Sequence, residues 1–179
     1  MRRSILTVLA ITALATGCIR WFRSPPKGPT DANLAAILLA ANNTDISYAQ
    51  LAPARAQSTE VKQFAARMLG EHTAVNQSAT DMFAATHLVP QENVTSLDFR
   101  DESAAKRDTL RELSGHAFDS AYAVNEVNYH THLLTALDSV LIPRAKAAEL
   151  KNLFVGIRPA VASHLEHAQR MRASVLGRH

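Results

Sequence analysis

Six polar side chains stand where the surrounding pattern calls for apolar ones: Asp45, His72, Asp119, Glu126, His130 and His164. Imidazole nitrogens and carboxylate oxygens are ligand atoms for divalent cations such as Fe, Zn or Mn. The same groups hold and pass protons near neutral pH. The stretch NEVNYHTHLL, residues 125–134, poses the choice directly, since it carries both His130 and His132. Residues two apart on a helix face nearly opposite ways, so these two cannot share one ion. His130 falls on the face of Leu133, Leu134 and Leu137, while His132 is expected in solvent beside Asn128. Asp119, Glu126 and His130, seven and four residues apart, stack along one side of the same helix.

Long helices are needed to position such groups. Alanine is abundant, β-branched runs are absent and only 6 glycines occur in 179 residues, a composition that predicts an all-α chain. The first long helix is expected over about 31–55, capped by Thr30 or Asp31, with Asp45 in a stripe of Leu34, Leu38, Ala41, Ala49 and Ala52. Ser58 caps a second helix reaching about Thr86, where His72 interrupts Val61, Ala65, Met68, Val75, Ala79 and Phe83. The pattern lapses after His87, and a short helix is expected over 103–113. The third long helix spans about 117–141 and carries Asp119, Glu126 and His130. Pro143 marks a turn, and the fourth runs over about 144–175 with His164 among Leu150, Phe154, Ile157, Val161, Leu165 and Ala168. Pro159, on its opposite side, removes one backbone hydrogen bond and should kink it. Short outer connections and one long middle connection predict a ferritin-like four-helix bundle over residues 31–176, with a long crossover carrying a short extra helix.

Helix rise sets the heights of the polar groups. Asp45 and His72 come out nearly level. His164 lies about 20 residues beyond the last turn and His130 about 12 before it, a mismatch of roughly 10 Å. The expected cluster is therefore Asp45, His72 and His164 with Asp119 or Glu126, and His130 is placed at its margin as a secondary polar core residue. A shared site requires the His72 and His164 rings to lie within about 10 Å of each other. The competing possibility is a buried network whose members satisfy one another by hydrogen bonds. Glu-x-x-His, the di-iron signature of helical bundles, is absent, since Leu69, Val127 and Val161 stand three residues before His72, His130 and His164. No phosphate-binding glycine loop, Cys-x-x-Cys, His-Glu-x-x-His or Gly-x-Ser-x-Gly occurs, and no catalytic residue is assigned. His116 and His167 are expected at a helix start and in solvent.

Four stretches, NNTDISYAQLA, STEVKQFAARMLGEHTAVN, LSGHAFDSAYAVNEVNYHTHLL and RPAVASHLEHAQ, resemble in order and spacing the family called domain of unknown function 4142. The resemblance implies a ferritin-like helical bundle, secretion and an outer-membrane association, with no established activity. Its recurrent helix-B histidine falls on His72, its Phe-Asp pair on Phe118 and Asp119, its helix-C histidine on His130 and its Pro…His-Leu pattern on Pro159, His164 and Leu165. Its helix-A glutamate pair falls on Asp45 and Ser47.

The amino terminus reads as an export signal. Arg2 and Arg3 precede an apolar run of about a dozen residues, and ALATGC resembles a lipobox ending at Cys18. Residues 1–17 are expected to be a lipoprotein signal peptide, and 18–30 a lipidated cysteine with a proline-rich tether. The partner is then a membrane, reached through lipid, and Ile19 after the cysteine favours the periplasm-facing outer membrane. The full chain has 19 basic and 16 acidic side chains, and loss of Arg2 and Arg3 brings it near neutrality, which argues against a nucleic-acid partner. The sequence thus predicts a lipid-anchored envelope protein acting as a binding, structural or stress-related module, more readily a non-enzyme. The alternative is a divalent-metal-binding protein or metal-dependent oxidoreductase.

Overall fold

The computed structural model describes residues 28–177, so Cys18 and its flanking signal and tether lie outside the described residues. Five longer helices, α1 (Asp31–Ala49), α3 (Thr59–Thr86), α4 (Val94–Arg111), α5 (Gly115–Ala136) and α7 (Ala148–Leu176), build an all-α bundle. Two short helices, α2 (Ala52–Arg55) and α6 (Ile142–Arg144), and a π-helical turn over Leu137–Leu141 complete it. None of the described helices is long and apolar enough to cross a membrane.

Helix starts are fixed by side chains that satisfy backbone N–H groups left without partners in the first turn. Thr30 and Asn33 form a capping box on α1, Ser58 accepts from the Val61 N–H on α3, and Asn93 with Ser96 forms a second box on α4. Asp31, at the start of α1, accepts the N–H groups of Lys146 and Ala147 at 2.9 Å each, and so ties that helix to the entry of α7.

Pairings across the bundle give its directions. Asn42 and Asp45 of α1 meet Asn76 and His72 of α3, so residue numbers run oppositely and the pair is antiparallel. In the same way, His130 meets His164 and Asp138 meets Arg158, so α5 and α7 are antiparallel. The Arg158–Asp138 pair is a two-pronged surface contact of 2.6 and 2.7 Å. Helix α4 begins beside the start of α1, where Asn93 donates to the Asn33 carbonyl, and passes Thr44 at Phe99. It therefore travels along α1 and returns the chain to the end from which α5 departs. The apolar core includes Leu34, Leu38, Phe64, Met68, Phe118, Tyr122, Leu137, Leu141, Phe154 and Met171, all essentially inaccessible to solvent.

Three elements differ from the sequence expectation: the first long helix, expected to reach about residue 55, ends at Ala49, and Ala52–Arg55 forms the separate short helix α2. Helix α4 starts at Val94, about nine residues before the expected 103, because Asn93 supplies a cap and its buried face is Ser96, Ser103 and Leu110, mostly hydroxyls that hydropathy does not register. The third long helix does not stop before Pro143. It passes through a π turn and α6 to Arg144, since proline is tolerated in a first helical turn. Pro159 sits inside a continuous α7.

Candidate metal centre

Helices α1, α3, α5 and α7 each send at least one polar side chain into the interior: Asp45, His72, Glu126 with His130, and His164. All five are buried. Ring centroids lie 5.9 Å apart for His72 and His130, 5.5 Å for His72 and His164, and 5.2 Å for His130 and His164. The 10 Å condition for a shared site is met with room to spare.

His130 is central, against its expected place at the margin. The 10 Å height mismatch came from placing the turn at Pro143. Helix continues to Arg144 and resumes at Ala148, which leaves His130 14 residues before the break and His164 16 after it, nearly level. Asp119 does not join the cluster. It lies at the other end of the interface, where its carboxylate accepts the N–H groups of Gln57 and Ser58 at 3.2 and 2.8 Å and seats the start of α3. Replacing Asp119 by alanine is expected to cost about 1–2 kcal/mol in a urea melt by unpairing those groups, with cation binding unaltered. Loss of cation binding in that variant would return Asp119 to the site. His132 and His116 are exposed, and half-buried His167 packs its ring edge-on against Phe64 at 5.0 Å.

Each histidine of the cluster has one nitrogen engaged outward and one left over. His72 Nδ1 meets Asn42 Oδ1 at 2.8 Å, His130 Nδ1 meets the Glu126 backbone oxygen at 3.0 Å, and His164 Nε2 meets a Glu71 carboxylate oxygen at 2.6 Å. All three outward partners are acceptors, so each outward nitrogen carries a hydrogen; in His130 and His164 the other nitrogen then presents a lone pair, a tautomer assigned from the network, whereas His72 Nε2 faces the Asp45 carboxylate. Those other nitrogens, His72 Nε2, His130 Nε2 and His164 Nδ1, are buried without a hydrogen-bond partner among the described residues. An acceptor behind each ring is the arrangement that orients metal-binding histidines. Asn42 is held in turn, donating to Asn76, which donates to Asn43 at the surface.

The geometry fits one ion. A ring centroid lies about 3.2 Å from an ion bound at its nitrogen, so three rings on one tetrahedral or trigonal ion have centroids about 5.2–5.5 Å apart. The observed spacings reach from 5.2 to 5.9 Å. One ligand atom from each of the three rings lies within 4.8 Å of the others, and binding would draw them to about 3.4 Å by small ring rotations. Asp45 Oδ2 lies 2.8 Å from His72 Nε2 yet off the ring's N–H direction, as two ligands flanking a common ion would be. Asp45, Glu126 and His130 form a second overlapping group of close ligand atoms.

Charge is finely divided here. Burial, then the Asp45 charge, pushes the Glu126 carboxyl well above its usual range. For Asp45 burial acts upward, but His72, His130 and a proton on Glu126 outweigh it and hold the carboxyl below its ordinary value. Asn125 and Tyr122 also act on the Glu126 carboxyl and His72 on Asp45, and one proton carried by Glu126 and aimed at Asp45 reconciles the pair. Burial also lowers His164, against the pull of Glu71. Glu71 itself is held low, since Arg67 and His164 outweigh its partial burial.

His130 is lowered to about 4, first by burial, with Asp45 opposing and His72 and His164 adding to it. The unfolded chain therefore takes up a proton between about pH 6.5 and 4 that the folded chain refuses, and native stability falls as pH falls through that window. The largest loss from this group is about 3 kcal/mol. Asp45, on α1, acts in the same direction only below its ordinary range, while Glu126 acts oppositely and loses stability as pH rises. Tyr129 and the rings of His72 and His164 complete the groups facing His130. In chelator-treated protein, His130→Asn should therefore flatten the loss of urea stability between pH 6.5 and 4.5. Parallel curves for variant and parent would show that His130 is not the group held neutral.

Asn42, Glu71 and Tyr122 belong to the site and escape a search for stripe interruptions. Tyr122 buries its hydroxyl beside Glu126, with no other partner among the described residues. Its signal is its place four residues before Glu126, and that of Asn42 is its place three before Asp45.

Among known proteins, no curated protein and no solved structure matches the chain. A family model does, over residues 23–171, which span α1 and α3 to α5 whole and most of α7, including every residue of the cluster. By that match, the chain belongs to the family described as Domain of unknown function (DUF4142).

Proposed function

We propose that this chain is a lipid-anchored protein of the cell envelope, facing the periplasm, whose bundle binds one divalent metal ion through His72, His130, His164 and Asp45. Glu126 stands behind them as a further carboxylate. The observation that carries the proposal is the convergence of three buried imidazole nitrogens whose outward nitrogens all meet acceptors: among the described residues His130 Nε2 and His164 Nδ1 have no hydrogen-bond partner, and His72 Nε2 has only Asp45 Oδ2 beside it, at 2.8 Å. A purely structural network has a reason to pair those nitrogens with donors, because a buried acceptor without a partner costs about 1–3 kcal/mol. Three neutral nitrogens and a carboxylate suit Zn, Fe or Mn, the borderline ions that imidazole and oxygen bind together. Binding would release the proton shared by Glu126 and Asp45, so affinity should rise with pH.

A second possibility rests on that shared proton. The Asp45–Glu126 pair with His72 alone would make a buried polar network that specifies the packing of the four helices. Elemental analysis of the purified full-length protein separates the two. One equivalent of a transition metal that survives desalting supports the centre, and a metal-free protein that takes up none from excess Zn, Fe(II) or Mn overturns it.

The envelope assignment rests on Arg2, Arg3, the apolar run and Cys18. Cys18→Ser should abolish incorporation of labelled fatty acid and release the protein from the membrane fraction. Retention of the label in that variant would exclude lipidation at Cys18.

A further inference from the structure

A narrow cavity of about 40 Å³ enters the bundle between α3 and α7 and stops at His72 and His164. Val75, Ile157 and Ala160 stand at its outer end, where the first two are half-buried and Ala160 is exposed. Leu133 and Val161 wall the inner end. Asn42 and Glu71 also line it, but Asn42 already donates to Asn76 and Glu71 already meets Arg67 and His164. The space is therefore apolar, with few hydrogen-bonding atoms to spare. Apolar walls of that kind favour small apolar guests, and about 10–15 Å³ of such volume already holds one water-sized molecule. Helix α3 also packs less closely on α7 than α5 does. Pro159 lies in the turn of α7 beside Ala160 and leaves the Val155 carbonyl without its usual helical donor.

We propose that this passage is a binding site for a small neutral diatomic ligand of the size of dioxygen or nitric oxide, and that it delivers the ligand to the His72–His164 side of the metal centre. The inference rests on the metal centre proposed above. A charged or strongly hydrated substrate is disfavoured by the apolar walls, since stripping its water without replacement costs several kcal/mol. An ion that accepts five or six ligands keeps positions beyond the three histidines and Asp45. Binding of nitric oxide to ferrous iron forms an iron–nitrogen bond with no atom or proton lost, so no further reactant is needed.

Two measurements test the passage separately from the metal. In metal-free full-length protein, dissolved xenon should shift the methyl resonances of Val75, Ile157 and Val161. Ala160→Phe, a substitution at an exposed helix position, should abolish the shifts, and Val75→Phe should do the same from the facing helix. Absence of xenon shifts in the parent protein overturns the passage, whatever the metal does. In protein loaded with Fe(II), nitric oxide should give a spin-coupled iron–nitrosyl signal. Its rate of formation should fall at least about tenfold in Ala160→Phe with iron content unchanged. An iron-loaded protein that forms no nitrosyl, or forms it equally fast in both phenylalanine variants, overturns delivery through this cavity. Failure to load iron or any other divalent metal overturns the centre, and with it the delivery, while xenon still reports whether the cavity admits a guest.

Discussion

His130→Ala is expected to weaken binding of a divalent cation by at least about a hundredfold, and His132→Ala to leave it unchanged. The two residues lie two apart in sequence, but one is fully buried at a corner of the ring triangle and the other exposed. Removing the outer partner of a metal-bound histidine typically costs about 10–100-fold in affinity, and removing the ligand itself costs more. Glu71→Gln, which weakens only the acceptor behind His164, should fall within that smaller range. Competition with a chromophoric chelator gives all three constants. Equal affinities for His130→Ala and His132→Ala would mean that the cation sits elsewhere. The metal-free His130→Ala protein should also be about 1–3 kcal/mol less stable, since the substitution empties space against Phe64 and Tyr129 and leaves the Glu126 carbonyl without its outer donor.

The second large effect is on stability. A ligand bound only by the folded chain stabilises it by about 2.7 kcal/mol at a hundred times its dissociation constant. For a domain of this size that raises Tm by about 5–10 °C. Site geometry enters through the dissociation constant: the ion joins α1, α3, α5 and α7 at one point and bonds to buried nitrogens that lack hydrogen-bond partners among the described residues, which favours tight binding. Zinc added to chelator-treated protein should therefore raise Tm by that amount, and EDTA should reverse it. His72→Ala and His164→Ala should melt at the same temperature with and without zinc. A parent protein whose melting ignores both zinc and chelator behaves as the hydrogen-bonded network does.

Much of the fold was legible because it rests on local signals. Ser58 as the cap of α3, Thr30 as the cap of α1 and the apolar spacing through Phe64, Met68 and Phe83 all act within a turn or two of chain. The burial of His130 and exposure of His132 followed from helical phase alone. What failed was distance along the axis. One misplaced turn moved His164 past the level of His130 and put Asp119 in competition with Glu126. A π turn has no sequence signature of its own, and a proline in a first helical turn looks the same as one that ends a helix. Helix α4 was shortened for a related reason: its inward face is built from Ser96 and Ser103, which carry no hydrophobic signal. The outer residues Asn42 and Glu71 were not distinguishable from solvated polar residues until their partners on other helices were placed. Their role depends on contacts to residues 30 and 93 positions away.

The most direct test is anomalous X-ray diffraction from crystals of the protein grown with zinc, recorded on both sides of the zinc absorption edge. The expected result is one strong peak inside the bundle, about 2.0–2.2 Å from His72 Nε2, His130 Nε2, His164 Nδ1 and an oxygen of Asp45, with Asn42, the Glu126 carbonyl and Glu71 still behind the three rings. A well-ordered bundle without an interior peak, or with zinc only on surface carboxylates while the three nitrogens remain as they are, would contradict the metal centre.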